Sequence, residues 1–423
     1  MASIDRLSSL PDDVKCHILS FLPTKLSVAT SVLEKRWRSL WAHVPCLHFR
    51  GGDFRKKGTQ TSEDLLLEET QDLDDDFWLE QTQALDDFMA EEATQDLDDF
   101  MEEEEEEEGT QDLANFKEEG TQALDIIHKV ILRHKAKIMD TLTLSNLKCN
   151  EYQLETLITT AIDRSIRNLY LELDLDTIPR CLFDCKTIVD LKLGMSRVSL
   201  SGMDNVSLPS LKKFCVYNLI CENDDALPRF LSGCPSLEEL IILFMFVEVD
   251  DYFGCKDISS PTIQMLKLSF DHFYSPSRLG YTMVINCPAL RYLQVDGYDL
   301  KCMTIPINMI SLAEANIRLR YYCFSNPKTY YNSTVVKFLH SLCYVKCLKI
   351  SGWEFEEFVR RGLACSNVKF DNLTKLEIRF NFKWNLLVKF LEVVDNLEVL
   401  IVILKKDISV RSPNKYLNAY YHL

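Results

Sequence analysis

A chain of 423 residues, 47% of them hydrophobic, has room for two or three globular domains, and its formal net charge of −17 means little until the charge is located. From Thr59 to Asp125 there are 27 acidic residues and one basic residue, Lys117; the rest of the chain carries a mild net charge of +9, with no basic cluster interleaved with aromatics, which argues against nucleic-acid binding. The 15 cysteines form no C-x-x-C pair and no stretch has the apolar length of a signal or membrane segment, so reduced thiols, no membrane contact and a cytoplasmic or nuclear location are expected.

The first patterned stretch runs from Ile4 to Phe49. Pro11 suits the opening of a helix, and Asp12 and Asp13 favour the positive end of its dipole. Val14, Ile18 and Leu22 then share a face, and Pro23 interrupts. In the second helix Val28 and Val32 form one apolar line and Leu26, Ala29 and Leu33 another, more apolar surface than a unit of this size can bury. Trp37, Leu40, Trp41 and Val44 have the i, i+3, i+4, i+7 spacing of a third helix.

Four runs carry a resemblance: Leu10-Pro11-Asp12-Asp13, Ile18 to Lys25, Thr30-Ser31-Val32-Leu33, and Lys35-Arg36-Trp37-Arg38-Ser39-Leu40-Trp41. Together they resemble an F-box of the plant F-box/leucine-rich-repeat/FBD family. The resemblance implies a three-helix domain that holds a Skp-like adaptor, and through it a cullin, with Leu10, Pro11, Val14, Ile18, Leu22 and Val32 as contacts, helped by Trp37, Leu40 and Trp41.

After Gly51-Gly52 comes a degenerate acidic repeat, with Thr-Gln opening units at Thr70, Thr82, Thr94, Thr110 and Thr121, and with seven consecutive glutamates from Glu102 to Glu108. Self-repulsion and little apolar surface predict a disordered linker over 51–123 that tethers the N-terminal unit, which occupies 1–50, to the remainder of the chain. Leu85, Phe88 and Met89, then Leu97, Phe100 and Met101, keep helical spacing, as in acidic segments that dock a short helix into a partner, but tandem expansion alone produces this periodicity, and a solvated linker with no partner is the favoured expectation. The last unit runs into a helical pattern, Leu124, Ile127, Val130 and Ile131.

From about residue 139 an L-x-x-L-x-L core recurs at intervals of mostly 22 to 28 residues, from Met139/Leu142/Leu144 through Leu237/Leu240/Ile242 to a weak Leu397/Leu400/Val402. Each core predicts a short strand whose alternate residues point inward, with the segment between strands returning as a helix or turn. The fold class is therefore α/β, a solenoid with a parallel sheet over 124–351, continued by 352–423. Ser232-Gly233-Cys234-Pro235-Ser236-Leu237 and Ile285-Asn286-Cys287-Pro288-Ala289-Leu290 place a cysteine inside the solenoid at a proline stop. Leu231 to Leu240, Ile178 to Phe183, Asn372 to Leu376, Trp384, and Val394 to Leu400 are similar to repeats and to the first half of the FBD region of the same family, whose usual continuation is missing. That predicts a shortened end with a poorly capped apolar edge from Leu400 to Leu404.

No phosphate-binding loop, nucleophile elbow, zinc-protease or dinucleotide motif occurs, so no catalytic residue, metal ligand or cofactor is expected. Residues between the apolar positions of each strand would face a partner: Lys213, Lys267, Tyr292, Gln294, Glu314, Asn316, Lys349, Lys375 and Glu377. The resemblance implies the substrate receptor of a ubiquitin ligase, with an unknown protein substrate on the repeats. The alternatives are an interaction protein or transcriptional regulator acting through the acidic repeats, and a shortened receptor that recruits nothing.

Overall fold

A computed structural model of the chain describes residues 10–33, 35–54, 123–174, 178–200, 205–220, 224–244, 257–270, 283–297, 303–304, 309–319, 338, 341–351, 369–379 and 384–403. They fall into two compact units, one drawn from residues 1–174 and the other from 175–408.

In the first unit, helix α1 (Asp12–Leu19) starts after Pro11, whose φ of −58° and ψ of 151° make it the extended residue before the first turn, and Asp12 and Asp13 lie at the positive end. Pro23 forces the preceding residue out of the helical region and opens α2 (Thr24–Ala29). The expected third helix is instead a run of turns over 35–40 and a 3-10 helix, Trp41–His43. Its hydrogen bonds step by three, from Leu40 to Trp37, His43 to Leu40 and Val44 to Trp41, and 3-10 geometry eclipses residues three apart, so Trp37 and Leu40 still share the inner side. Leu19, Trp37, Leu40 and Val44 form the core, with Cys16, Leu22 and Cys46 packed on it.

Strand β1 (Cys46–Arg50) leaves this core and pairs in parallel with β2 (Thr141–Leu147), Phe49 opposite Leu144, and β2 pairs with β3 (Asn168–Leu173). Among the described residues, two further helices belong to the same unit: α3, residues 123–133, burying Leu124, Ile127, Val130 and Ile131, and α4 (Glu151–Asp163), which starts from a reciprocal capping box between Asn150 and Gln153. One hydrogen-bond device stacks the strands. The carbonyl of Pro45 accepts from the N–H groups of Asp140 and Thr141, and that of Asp140 from Arg167 and Asn168.

This overturns the expected tether. The N-terminal helices end in a strand that pairs with the first repeat, so they and residues 123–174 form one unit. The acidic segment, whose residues 55–122 lie outside the described residues, joins two parts of that unit. The Thr-Gln repeats and their apolar spacing fall in that range.

Among the described residues of the second unit, nine strands pair in parallel in chain order in the main sheet. They are β4 (Asp190–Ser199), β5 (Lys213–Ile220), β6 (Glu239–Phe244), β8 (Met265–Phe270), β10 (Tyr292–Gly297), β12 (Glu314–Leu319), β13 (Cys347–Ser351), β14 (Lys375–Arg379) and β15 (Val399–Ile403), with β7 (Asp257–Ser259), β9 (Met283–Asn286) and β11 (Met303–Thr304) between them. From β4 to β14 the paired apolar positions, such as Leu191 and Leu193, Leu240 and Ile242, and Leu376 and Ile378, are at most 3% exposed. The stacking device recurs: Lys212 O accepts from Glu238 and Glu239, and Gln264 O from Arg291 and Tyr292.

Two features depart from the simple repeat. Between β6 and β12 the described parts of the returning segments include β7, β9 and β11, which form a second parallel sheet, whereas the described part before β6 holds the helix α5 (Ala226–Ser232) and that before β15 the helix α6 (Trp384–Leu391). The second sheet buries Ile258, Met283 and Ile285, in strands too short to show a periodicity of their own. On β15, Leu400 and Ile403 are 40% and 42% exposed, so the final copy does not bury its central leucine; Leu404 lies outside the described residues.

Candidate partner-binding surfaces

The N-terminal unit divides its apolar residues into two sets. Leu19, Trp37, Leu40 and Val44 are interior. Val14, Ile18, Phe21, Val32 and Leu33 are exposed, Phe21 by 74% and Leu33 by 67%. Val14, Ile18 and Phe21 are spaced at i, i+4 and i+7 and continue one stripe of α1 beyond its last residue. An ion pair of 3.0 Å between Arg36 and Asp12 brings the chain just after Leu33 to the start of that helix. Burying those five side chains on a partner removes apolar surface at roughly 25 cal/mol per Å², and nothing in the unit's own core needs them exposed.

The residues expected to contact an adaptor do not share one environment. Pro11, Val14, Ile18 and Val32 are exposed, and Leu10 is half-buried. Leu22 is half-buried against the core and Trp41 packs on Val28 and Ala29. Trp37 and Leu40, 5% and 6% exposed, are core residues packed with Leu19 of α1, so any help they give an adaptor surface passes through the position of that helix. Sequence spacing does not single out Phe21 and Leu33. Phe21 sits past the helix's last residue, and the apolar line of Leu26, Ala29 and Leu33 does not show by spacing which of its members faces outward; the chain turns after Val32. Lys15 is the largest buried polar side chain of the unit, its Nζ 5.3 Å from the Trp37 ring centre.

A buried polar junction fixes this surface to the first repeat. His134 Nε2 lies 2.6 Å from the Val44 carbonyl oxygen, and Arg164 donates to the carbonyls of His134 and Ile131. Lys135 and Ala136 donate backbone N–H groups to the Ala42 carbonyl. Further out, the His48 N–H donates to Thr24 Oγ1 at 2.7 Å, and Lys25 Nζ to the Asp53 carbonyl at 2.8 Å.

In the second unit, the nine residues expected on the partner-facing side lie at the alternate positions of β5, β8, β10, β12, β13 and β14. Strand register sets five of them in one line, Lys267, Gln294, Asn316, Lys349 and Glu377. A second line holds Lys213, Tyr292, Glu314 and Lys375, with Glu239, Met265 and Cys347 between them. Most charges on these lines are neutralised locally. Lys213 pairs with Glu239 at 2.9 Å and Lys349 with Glu314 at 2.6 Å, and hydrogen bonding to those carboxylates raises both lysine pKa values. Glu377 is only 8% exposed.

Cys234 and Cys287 point inside, as their motifs predict, and burial pushes their thiols up to about 12 and about 11, which leaves them protonated. Gly233 is required by contact: a Cβ there would meet Val206 O at 2.3 Å, and its own carbonyl accepts from Leu208.

Comparison with known proteins matches these two surfaces to two sequence families. Residues 7–49 match the F-box domain, and residues 153–275 match the leucine-rich repeats described for FBD-associated F-box protein At5g56370. Among Arabidopsis thaliana proteins, the chain is 28% identical to the putative FBD-associated F-box protein At5g56440 over 75% of its own length and 60% of that protein's. It is 29% identical to F-box/FBD/LRR-repeat protein At3g52680 over 74% of its length and 55% of the relative's. With F-box/LRR-repeat protein At4g14103 the identity is 28% over 94% of this chain and 91% of that one. The chain thus spans little more than half of the first two relatives.

Proposed function

From a chain that carries an F-box domain followed by leucine-rich repeats of the FBD-associated F-box kind, we propose a substrate-recognition subunit of a Skp/cullin/F-box ubiquitin ligase, working in the cytoplasm or nucleus. The F-box binds the Skp-like adaptor and the repeat sheet binds the protein to be ubiquitinated. The chain contributes no chemistry of its own in this reading. It holds substrate lysines near the ubiquitin-conjugating enzyme, which raises their effective concentration.

The observation that carries the reading is the set of exposed apolar side chains Val14, Ile18, Phe21, Val32 and Leu33 on a domain whose own core is complete without them. The pairing of β1 with β2 adds a mechanical support, since the adaptor surface and the first repeat belong to one packed unit. The test is co-purification of the full chain with a plant Skp-like adaptor. Retention of the adaptor by the wild-type chain, lost on changing Ile18 and Phe21 to serine, is the expected result; equal retention by both would sink the assignment.

A further inference from the structure

On the solvent side of the second unit's sheet, two lysines rest on tyrosine rings. Lys192 Nζ sits 5.1 Å from the ring centre of Tyr217, and Lys267 Nζ 5.8 Å from that of Tyr292. Among the described residues neither lysine has a carboxylate within ion-pair distance, whereas Lys213, Arg318 and Lys349 on the same face are each paired. Strand register joins the two sites. Lys192 lies opposite Cys215, Cys215 opposite Ile241, and Ile241 opposite Lys267, on four adjacent strands. Leu243, beside Tyr217, and Met265, beside Tyr292, widen the middle. All of these side chains are half-buried, neither sealed into the core nor fully wet. The result is an apolar floor of Cys215, Ile241, Leu243 and Met265 with a lysine-on-tyrosine post at each end.

Adjacent strands are about 4.8 Å apart, so three steps put the two posts roughly 14 Å apart, and an extended peptide rises about 3.4 Å per residue. Four residues therefore span the gap, and in an extended chain positions i, i+2 and i+4 share one face. We infer that this strip is a docking site for an extended acidic peptide of the substrate protein, with a carboxylate side chain at i on one lysine, a carboxylate at i+4 on the other, and an apolar side chain at i+2 on the floor between them. The unpaired positive ends select negative charge, and the tyrosine rings hold each ammonium in place at low entropic cost. This deepens the substrate-receptor reading and rests on it.

The probe is a fluorescein-labelled Glu-Thr-Leu-Thr-Glu peptide, titrated by fluorescence anisotropy against the full chain, beside Lys-Thr-Leu-Thr-Lys and a labelled single-stranded oligonucleotide. Adaptor capture is read on the same preparations. The acidic peptide is expected to bind and to weaken with salt. The double variant Lys192→Glu with Lys267→Glu is expected to weaken it roughly tenfold and to accept the lysine-ended peptide instead, since each reversed half-buried charge costs a few-fold. Equal binding of both peptides, an unchanged acidic peptide affinity in the double variant, or tighter binding of the oligonucleotide overturns the site. Any of these with adaptor capture intact overturns this inference alone; absence of adaptor capture by the wild-type chain overturns the ligase reading.

Discussion

His134 donates from Nε2 to the carbonyl oxygen of Val44 at 2.6 Å, across 90 residues of sequence that include the whole acidic insertion. A carbonyl can only accept, so the hydrogen is on Nε2, and the lone pair of Nδ1 faces the Arg164 guanidinium nitrogen 3.1 Å away. The ring is therefore held neutral. A second proton on Nδ1 would point at a cation and break the junction that seats the F-box on the first repeat.

This junction makes stability depend on pH. Burial lowers the His134 pKa, the hydrogen bond to Val44 opposes this, and the charges of Arg164 and His43 add to the lowering. In the unfolded chain the group titrates near 6.5. Above that pH neither state binds the proton and the junction's contribution is complete; below it the unfolded chain takes up a proton that the folded one refuses, so stability falls until pH reaches the folded pKa. Thermal denaturation between pH 7.5 and 5 should show a declining midpoint. His134→Gln, which keeps a donor for Val44 but does not titrate, should flatten the decline, leaving the slope due to His48, whose pKa burial also lowers.

Exposed and buried residues of the F-box should separate cleanly in two assays. Ile18→Ser and Phe21→Ser remove exposed apolar surface and should change thermal stability by no more than about 0.5 kcal/mol while strongly reducing adaptor capture. Leu40→Ala empties a core position beside Leu19 and Trp37 and should cost about 2–5 kcal/mol, so that capture is lost through unfolding. A Leu40→Ala chain as stable as wild type would contradict a core built on these three side chains.

The repeat cores were legible because spacing alone carries them. Leu191 and Leu193, Leu266 and Leu268, and Leu348 and Ile350 alternate inward as a period of two demands, and all are buried. The open-face residues were legible for the same reason, since the positions between must point outward. What spacing does not encode is pairing across a long insertion. Nothing local to Cys46–Arg50 shows that its partner is Thr141–Leu147, and a charge run between them reads as a boundary when it is an insertion within one unit. The third F-box helix failed differently: its apolar spacing suits an α-helix and consecutive 3-10 turns alike. The lysine–tyrosine posts needed three-dimensional register, because Lys192 and Lys267 belong to different repeats.

Gly51 and Gly52 are adjacent in sequence but should respond differently to alanine. A Cβ on Gly51 would lie 1.8 Å from the Asn146 carbonyl oxygen, backbone of the neighbouring strand, whereas a Cβ on Gly52 meets nothing within 4 Å. Gly51→Ala must push β1 away from β2 and should cost about 1–3 kcal/mol. Gly52→Ala should be close to neutral. Urea denaturation of the two variants checks the contrast, and equal stability of both would show that β1 does not approach β2 this closely.

Replacing residues 55–122 with a Gly/Ser linker of about 15 residues tests whether the acidic segment is an insertion or a spacer. Its flanks are anchored independently of it: Asp53 Oδ2 accepts from the Arg50 N–H and the Asp53 carbonyl from Lys25, while α3 buries Leu124, Ile127 and Ile131 and leads into His134 on Val44. Closing a shorter loop costs less entropy, by about 1 kcal/mol for this change in length. The shortened chain should therefore keep adaptor capture and melt at the same or a slightly higher temperature. If the segment were a spacer that separates two independent domains, shortening it would leave stability unchanged but alter the F-box only through its tether, and Val44→Asp would then unfold the F-box without affecting residues 123–174. Hydrogen exchange on that variant decides the point, because loss of protection in both α3 and β2 requires the single packed unit that His134 and Val44 hold together.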